Sequence, residues 1–103
     1  MKEIDVFDLK NLLEENNVTL IDVREEYETK ICSIEGSLFI PMSTISGLLG
    51  ALDKNKNYAI ICHSGVRSLN VTNFLNNNGY MATNVKGGID EWSVCVDKKM
   101  KRY

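Results

Sequence analysis

The sequence predicts an α/β domain, with a central, mainly parallel β-sheet flanked by helices on both faces. Three observations carry this expectation. Short apolar, β-branched runs alternate along the chain with segments of helical periodicity, the order that βαβ units require. Val18–Val23 (VTLIDV) is apolar enough for a strand covered on both faces. The run Tyr58–Ile61 ends on a cysteine and then a glycine-containing turn, at the kind of strand end where such sheets place working groups.

The elements follow in order. Asp5 is placed to cap a first helix, with Asp8 at the capping-box position and Val6, Leu9, Leu12 and Leu13 at helical spacing. After the Val18–Val23 strand, the charged segment REEYETK predicts a short helix or turn. Ser37–Ile40 reads as another strand, closed by Pro41, the only proline. Ser43–Leu52 predicts a loose helix weakened by Gly47 and Gly50. DKNKN is a turn, and Tyr58–Ile61 is the strand that delivers Cys62. From Arg67 or Ser68 to Asn78 the periodicity is helical, with Val71, Phe74 and Leu75 facing inward and Gly79 in the C-terminal cap position. Met81–Val85 is the last strand, and Gly87-Gly88 turns the chain into a short helix holding Trp92.

The 103 residues predict one domain over 1–103, able to bury a core without disulfides. A formal net charge of −2 argues against nucleic-acid binding. Lys98, Lys99, Lys101 and Arg102 are expected to form a frayed, solvated basic tail over about 97–103. No apolar run reaches the length of a membrane span, and MKEIDVFDLK is acidic where a signal peptide is apolar, so the expectation is a cytoplasmic protein with no membrane partner. Its three cysteines are then reduced. Cys32, Cys62 and Cys95 form no CxxC pair, and one histidine does not make a familiar zinc site, so no metal is expected.

The stretch AIICHSGVRS, Ala59–Ser68, carries the chemistry. A buried core cysteine needs no sharp turn after it; a thiolate that must be held, exposed and charge-stabilised does. Gly65 allows the segment to curl tightly. A curl leading into a helix turns consecutive N–H groups inward, and the helix end adds partial positive charge, which together cradle an anion. With Cys62 at the floor, the first anion so stabilised is its own thiolate. Arg67 adds a permanent charge at the rim, suited to an incoming oxyanion.

CHSGVRS resembles the active-site loop of the rhodanese-like sulfurtransferases, whose common pattern is C-x-x-G-x-[RT]-[SA]. The resemblance covers nearly the whole chain. LIDVREEYE (Leu20–Glu28) resembles the family's LIDVREPEEY signature, SIEGSLFIP (Ser33–Pro41) its HIPGAINIP segment, and VKGGIDEW (Val85–Trp92) its closing LxGGxxxW. The sequence departs from the family at Ser33, where histidine is usual, and at Glu35, where proline is usual. His63-Ser64 fill positions often held by arginine or lysine, which makes the rim less basic and counts against thiosulfate as the best donor.

The resemblance implies a rhodanese-like three-layer domain and a double displacement needing no cofactor. Cys62 takes a sulfane sulfur from a small donor such as thiosulfate, becomes a persulfide, and passes it to cyanide, a thiol or a protein acceptor. His63, Ser64, Gly65, Val66, Arg67 and Ser68 form the substrate-binding loop, and Asp22 and Arg24 support it. A persulfide carrier and a non-catalytic binding module on the same fold are the alternatives; a monomer or weak homodimer is expected. Cysteine phosphatases place five residues between cysteine and arginine, whereas four separate Cys62 from Arg67, with Ser68 at the phosphatase arginine's position. The smaller loop suits a sulfur atom better than a phosphoryl or arsenate group.

The neighbours allow more than one role. His63 either helps hold the thiolate or a substrate, or faces solvent at the rim. Asp22 and Arg24 either act at the site or form a buried ion pair that fixes the loop. Ser68 is expected to cap or orient the loop at the helix start. Trp92 is expected in the core, and Cys32 and Cys95 as inert thiols.

Overall fold

The structure is a computed structural model and describes residues 3–103. Five strands form one sheet in the order β1-β5-β4-β2-β3. They are β1 (Glu3–Ile4), β2 (Thr19–Asp22), β3 (Leu38–Phe39), β4 (Asn57–Ile61) and β5 (Met81–Val85). All four pairings are parallel. The helices are α1 (Val6–Glu14), α2 (Glu26–Ile31), α3 (Val66–Asn77) and α4 (Gly88–Cys95), with a 3₁₀ turn at Ile45–Ala51.

Side-chain alternation along the strands splits the core into two layers. On one face Ile21, Ile60, Cys62 and Ala82 pack against Val71 and Leu75 of α3 and Ile45 of the 3₁₀ turn. On the other, Leu20, Ala59, Ile61 and Val85 pack against Val6 and Leu9 of α1 and Ile89 and Trp92 of α4. Each fully buried aliphatic side chain contributes roughly 1.5–3 kcal/mol, so β4, covered on both faces, is the firmest support in the sheet.

The expected helices and strands are present with shifted ends. The Asp5 carboxylate accepts from the Asp8 amide at 2.8 Å, capping α1. REEYETK forms α2 after Glu25, whose amide donates to Glu28 Oε1 at 3.0 Å. The loose helix is a 3₁₀ turn, Ile45–Ala51, because Gly47 and Gly50 weaken α-propagation. The strand expected over Ser37–Ile40 shrinks to Leu38–Phe39, an exposed edge. Gly79 follows the α3 cap with φ +88°, and the Tyr80 amide returns to the Leu75 carbonyl at 3.0 Å. The two-residue β1 went unread because so short a run has no periodicity; it exists by pairing with the edge of β5.

The basic tail is not frayed. Met100 packs against the α4 side of the core, Arg102 pairs with Asp90 at 3.0 Å, and Tyr103 lies against His63. Packing of Met100 and stacking of Tyr103 on His63 offset the entropy of ordering the segment, which a count of its cations does not register. Among the described residues no helix is long and apolar enough to cross a membrane, and no cluster of His, Cys, Asp and Glu is arranged to hold a metal.

Candidate active site

Three loops meet at the carboxyl edge of the sheet: those following β2, β4 and β5. The β4 loop is short, with Cys62 immediately beyond the strand and α3 beginning at Val66. Gly65 caps α3 with φ +109°, a left-handed conformation that a side chain resists. That geometry aims its amide back at the Cys62 sulfur, N to Sγ 3.1 Å. Ser68, in the first turn of α3, places its Oγ 3.2 Å from the same sulfur.

The β5 loop holds this curl from outside. The Ile89 and Asp90 amides, at the start of α4, donate to the carbonyls of Cys62 (2.9 Å) and His63 (3.0 Å). Gly88, with φ +61°, makes the approach possible: a Cβ there would sit 2.6 Å from the Cys62 oxygen. With those two carbonyls bonded outward, the Gly65 amide is left to face the sulfur.

Cys62 is 1% exposed, which corrects the expectation of an exposed thiol. Alternation along β4 points it to the same face as Ile60, into the layer formed with Val71, so the sulfur lies at the floor of the loop. Ser64 and Val66 are the exposed members of the loop, Val66 at 68%.

Arg67 does not stand free at the rim. It forms a bidentate pair with Glu28 of α2, Nη1 to Oε1 2.6 Å and Nη2 to Oε2 2.9 Å. This pair holds the Glu28 carboxyl down at about 2 against the opposing effect of burial. Glu28 in turn raises the Arg67 pKa. The fork uses one hydrogen on each terminal nitrogen and leaves the remaining N–H donors for another anion.

Asp22, the last residue of β2, and Arg24, two residues on, form the buried ion pair, Nη2 to Oδ2 2.7 Å with Nε also on the carboxylate. The same Nη2 also donates to the Cys32 carbonyl (2.7 Å), and Nη1 donates to the Tyr103 phenol oxygen (3.0 Å). Burial alone lowers its pKa, but hydrogen bonds to Asp22 and Tyr103 outweigh that and keep it above the ordinary value. The pair shapes the loop architecture and does not touch Cys62 directly.

His63 is turned neither to the sulfur nor wholly to water. Its ring stacks on Tyr103 with centroids 4.0 Å apart and planes 11° from parallel. Its Nε2 is buried without a hydrogen-bond partner among the described residues. The Tyr103 hydroxyl donates to Glu28 Oε2 at 2.7 Å, and burial, helped by that carboxylate, pushes its pKa up to about 12.

Ser68 does not cap the helix, since Gly65 occupies that position. Its hydroxyl instead joins Cys62 to Asn84 of β5, Oγ to Oδ1 2.5 Å. Sequence reading missed Asn84, Glu28, Gly88 and Tyr103. Asn84 had a signal: asparagine is depleted in strands, so one inside a parallel strand has a polar task. Glu28 was read only as part of the charged REEYETK segment, and Tyr103 carried no signal. Trp92 is core, and Cys32 and Cys95 are half-buried free thiols.

Known proteins resemble this chain in sequence and fold. The family model for the rhodanese-like domain matches residues 5–95. The Bacillus subtilis (strain 168) protein YtwF is 40% identical over 93 residues, spanning 89% of this chain and 90% of that protein. A sulfurtransferase of Allochromatium vinosum is 32% identical over 95 residues, spanning 90% of this chain and 89% of its own. The crystal structure of a rhodanese-like domain protein from Staphylococcus aureus is 39% identical, covers 100% of this chain and 99% of its own, and superposes with a TM-score of 0.86. With the cysteine loop, the parallel sheet and these relatives in agreement, the chain belongs to the rhodanese-like domain family, a family of sulfur transfer.

Proposed function

We propose that the protein is a sulfurtransferase working through a Cys62 persulfide. The observation that carries this reading is the Cys62 sulfur at the end of β4, facing the Gly65 amide and the Ser68 hydroxyl where α3 begins. Both groups can donate to an anion on sulfur, and the helix terminus favours the same charge. The Cys62 thiolate attacks the outer sulfur of a sulfane donor. With thiosulfate, the S–S bond breaks, sulfite leaves with the bonding pair, and the negative charge moves to the terminal sulfur of the persulfide. An acceptor, cyanide or a thiolate on a small molecule or protein, then takes that sulfur and returns Cys62 to the thiolate.

Arg67 serves the donor through the N–H groups that Glu28 leaves unused, suited to the sulfonate end of thiosulfate. Ser64 and Val66 form the rim that a donor or acceptor meets first, and Asp22 with Arg24 keeps the neighbouring loop in place. The setting we assign is the cytoplasm, where the three free cysteines stay reduced.

Intact mass measured after incubation with thiosulfate, or with a small persulfide donor, tests the reading. One added sulfur atom is expected, removable by cyanide and absent from Cys62→Ser, with circular dichroism confirming that the variant is folded. A parent protein that gains no sulfur from any such donor would overturn the transferase in favour of a binding module on this fold.

A further inference from the structure

We propose that Asn84 is a positioning residue that holds the Ser68 proton away from the Cys62 sulfur, and so sets the protonation state in which Cys62 rests. The proposal rests on Cys62 being the reacting thiol.

Ser68 has one proton and two close neighbours, Cys62 Sγ at 3.2 Å and Asn84 Oδ1 at 2.5 Å. The orientation of the Asn84 amide decides where that proton goes. Its Nδ2 faces two acceptors, Glu3 Oε2 at 3.0 Å and the Gly65 carbonyl at 3.3 Å. The oxygen is therefore the atom turned to Ser68, and an amide oxygen can only accept. Ser68 donates to Asn84, and its oxygen is left to accept from the Cys62 thiol.

Ionisation reverses this order. A thiolate only accepts, so when the thiol proton leaves to solvent, the Ser68 proton must swing from Asn84 to the sulfur. Asn84, 1% exposed, then has a buried oxygen without a donor, an arrangement that costs free energy. Gly65 favours the anion; Asn84 opposes it. In a persulfide the charge sits one atom further out, off Sγ, and Ser68 can keep its proton on Asn84. The network thus favours the loaded protein over the bare thiolate.

Other charged groups surround the site. Arg67 of α3 lies closest and is tied to Glu28 of α2. His63 stacks away on Tyr103, Asp22 and Arg24 satisfy one another at the end of β2, and Glu3 of β1 reaches the network only through Asn84. Lys86 and Glu91, from the β5–α4 side, line a cleft with Ser64. Replacing Asn84 leaves all of them but Glu3 with their partners, and any effect through Glu3 or the Gly65 carbonyl is the same whether or not residue 68 carries a hydroxyl.

That distinction gives the test. The rate of iodoacetamide alkylation at Cys62 is read by peptide mass between about pH 5 and pH 9, the span in which protein thiols ionise. Asn84→Val, suited to a strand and without polar atoms, should move the profile to lower pH. On its rising limb the rate should increase about fivefold, the equivalent of one hydrogen bond. In the Ser68→Ala background the same substitution should move the profile much less, by no more than any effect through Glu3 or the Gly65 carbonyl. Asn84→Ala makes the same comparison if the valine variant does not fold, with a thermal melt as the check. An unmoved profile, a move to higher pH, or an equal move in the Ser68→Ala background would each overturn the proposal. Because alkylation needs no sulfur donor, a failure of sulfur transfer leaves this result standing, and the reverse also holds.

Discussion

Arg67 and Glu28, 39 residues apart, meet in a bidentate ion pair whose carboxylate is 4% exposed and whose guanidinium is 34% exposed. The pair joins the start of α3 to α2 and so fixes the Cys62 loop against the loop after β2. It also makes part of the stability depend on acid. The Glu28 carboxyl lies at about 2 in the folded protein against an ordinary value of 4.5. A depressed carboxyl contributes fully above its unfolded value and is lost as pH falls through its folded one. The contribution should therefore fade from about pH 5 to about pH 2 and amount to roughly 2 kcal/mol after discounting for the exposed guanidinium. Urea unfolding across that range should show Glu28→Gln with a flatter profile than the parent; parallel profiles would remove Glu28 from the acid response.

Removing one partner should be worse than removing both. Arg67→Ala leaves the Glu28 carboxylate buried with only the Tyr103 hydroxyl and its backbone partner, at a cost of about 2–3 kcal/mol. Arg67→Ala combined with Glu28→Gln should recover about 1 kcal/mol or more of that loss. Denaturant midpoints of the two single variants and the double variant close the cycle, and strict additivity would show that the contact is not held in solution.

The Tyr103 hydroxyl links two charged residues, accepting from Arg24 and donating to Glu28. Tyr103→Phe keeps the ring on His63 and removes only these bonds, so it should cost about 1–2 kcal/mol. Tyr103→Ala also removes the stack and should expose the His63 ring, read as a faster reaction of that histidine with diethyl pyrocarbonate. A Phe variant that melts with the parent would place the 97–103 segment away from the site in solution.

Gly88→Ala should be the most damaging small substitution in the chain. Its φ of +61° is costly for alanine, and the added Cβ would overlap the Cys62 carbonyl. Relief of that overlap requires the α4 amides to release the Cys62 and His63 carbonyls. A loss of about 3 kcal/mol is expected, with slower sulfur loading of whatever remains folded. Gly36→Ala is a useful control, since its φ is also positive but nothing lies within 4 Å of its Cβ position. An equal loss at both glycines would mean that backbone conformation alone, and not the packing of α4 on the loop, sets the cost.

The parts of the site legible in the sequence were those built from near neighbours. Cys62, Gly65 and Ser68 lie within six residues of one another, and the strand, turn and helix that arrange them each carry a local signal. Asp22 and Arg24, two residues apart, form an ion pair for the same reason. Short apolar runs alternating with helical segments, and the continuously apolar Val18–Val23, were enough to predict a mainly parallel sheet covered on both faces.

What only the tertiary structure decided lies at longer range. Glu28 claims part of an arginine that, by its place in the loop, was expected to serve substrates alone. Asn84 reaches Ser68 across 16 positions, and Tyr103 reaches Glu28 across 75. The sequence by itself determined the fold class, the strand order's parallel character and the cysteine we propose as the nucleophile, because local propensity and side-chain periodicity act between near neighbours. The partners of Arg67, His63 and Ser68 depend instead on which strands and helices pack side by side. That is settled by burial across the whole sheet, and no short stretch of this chain records it.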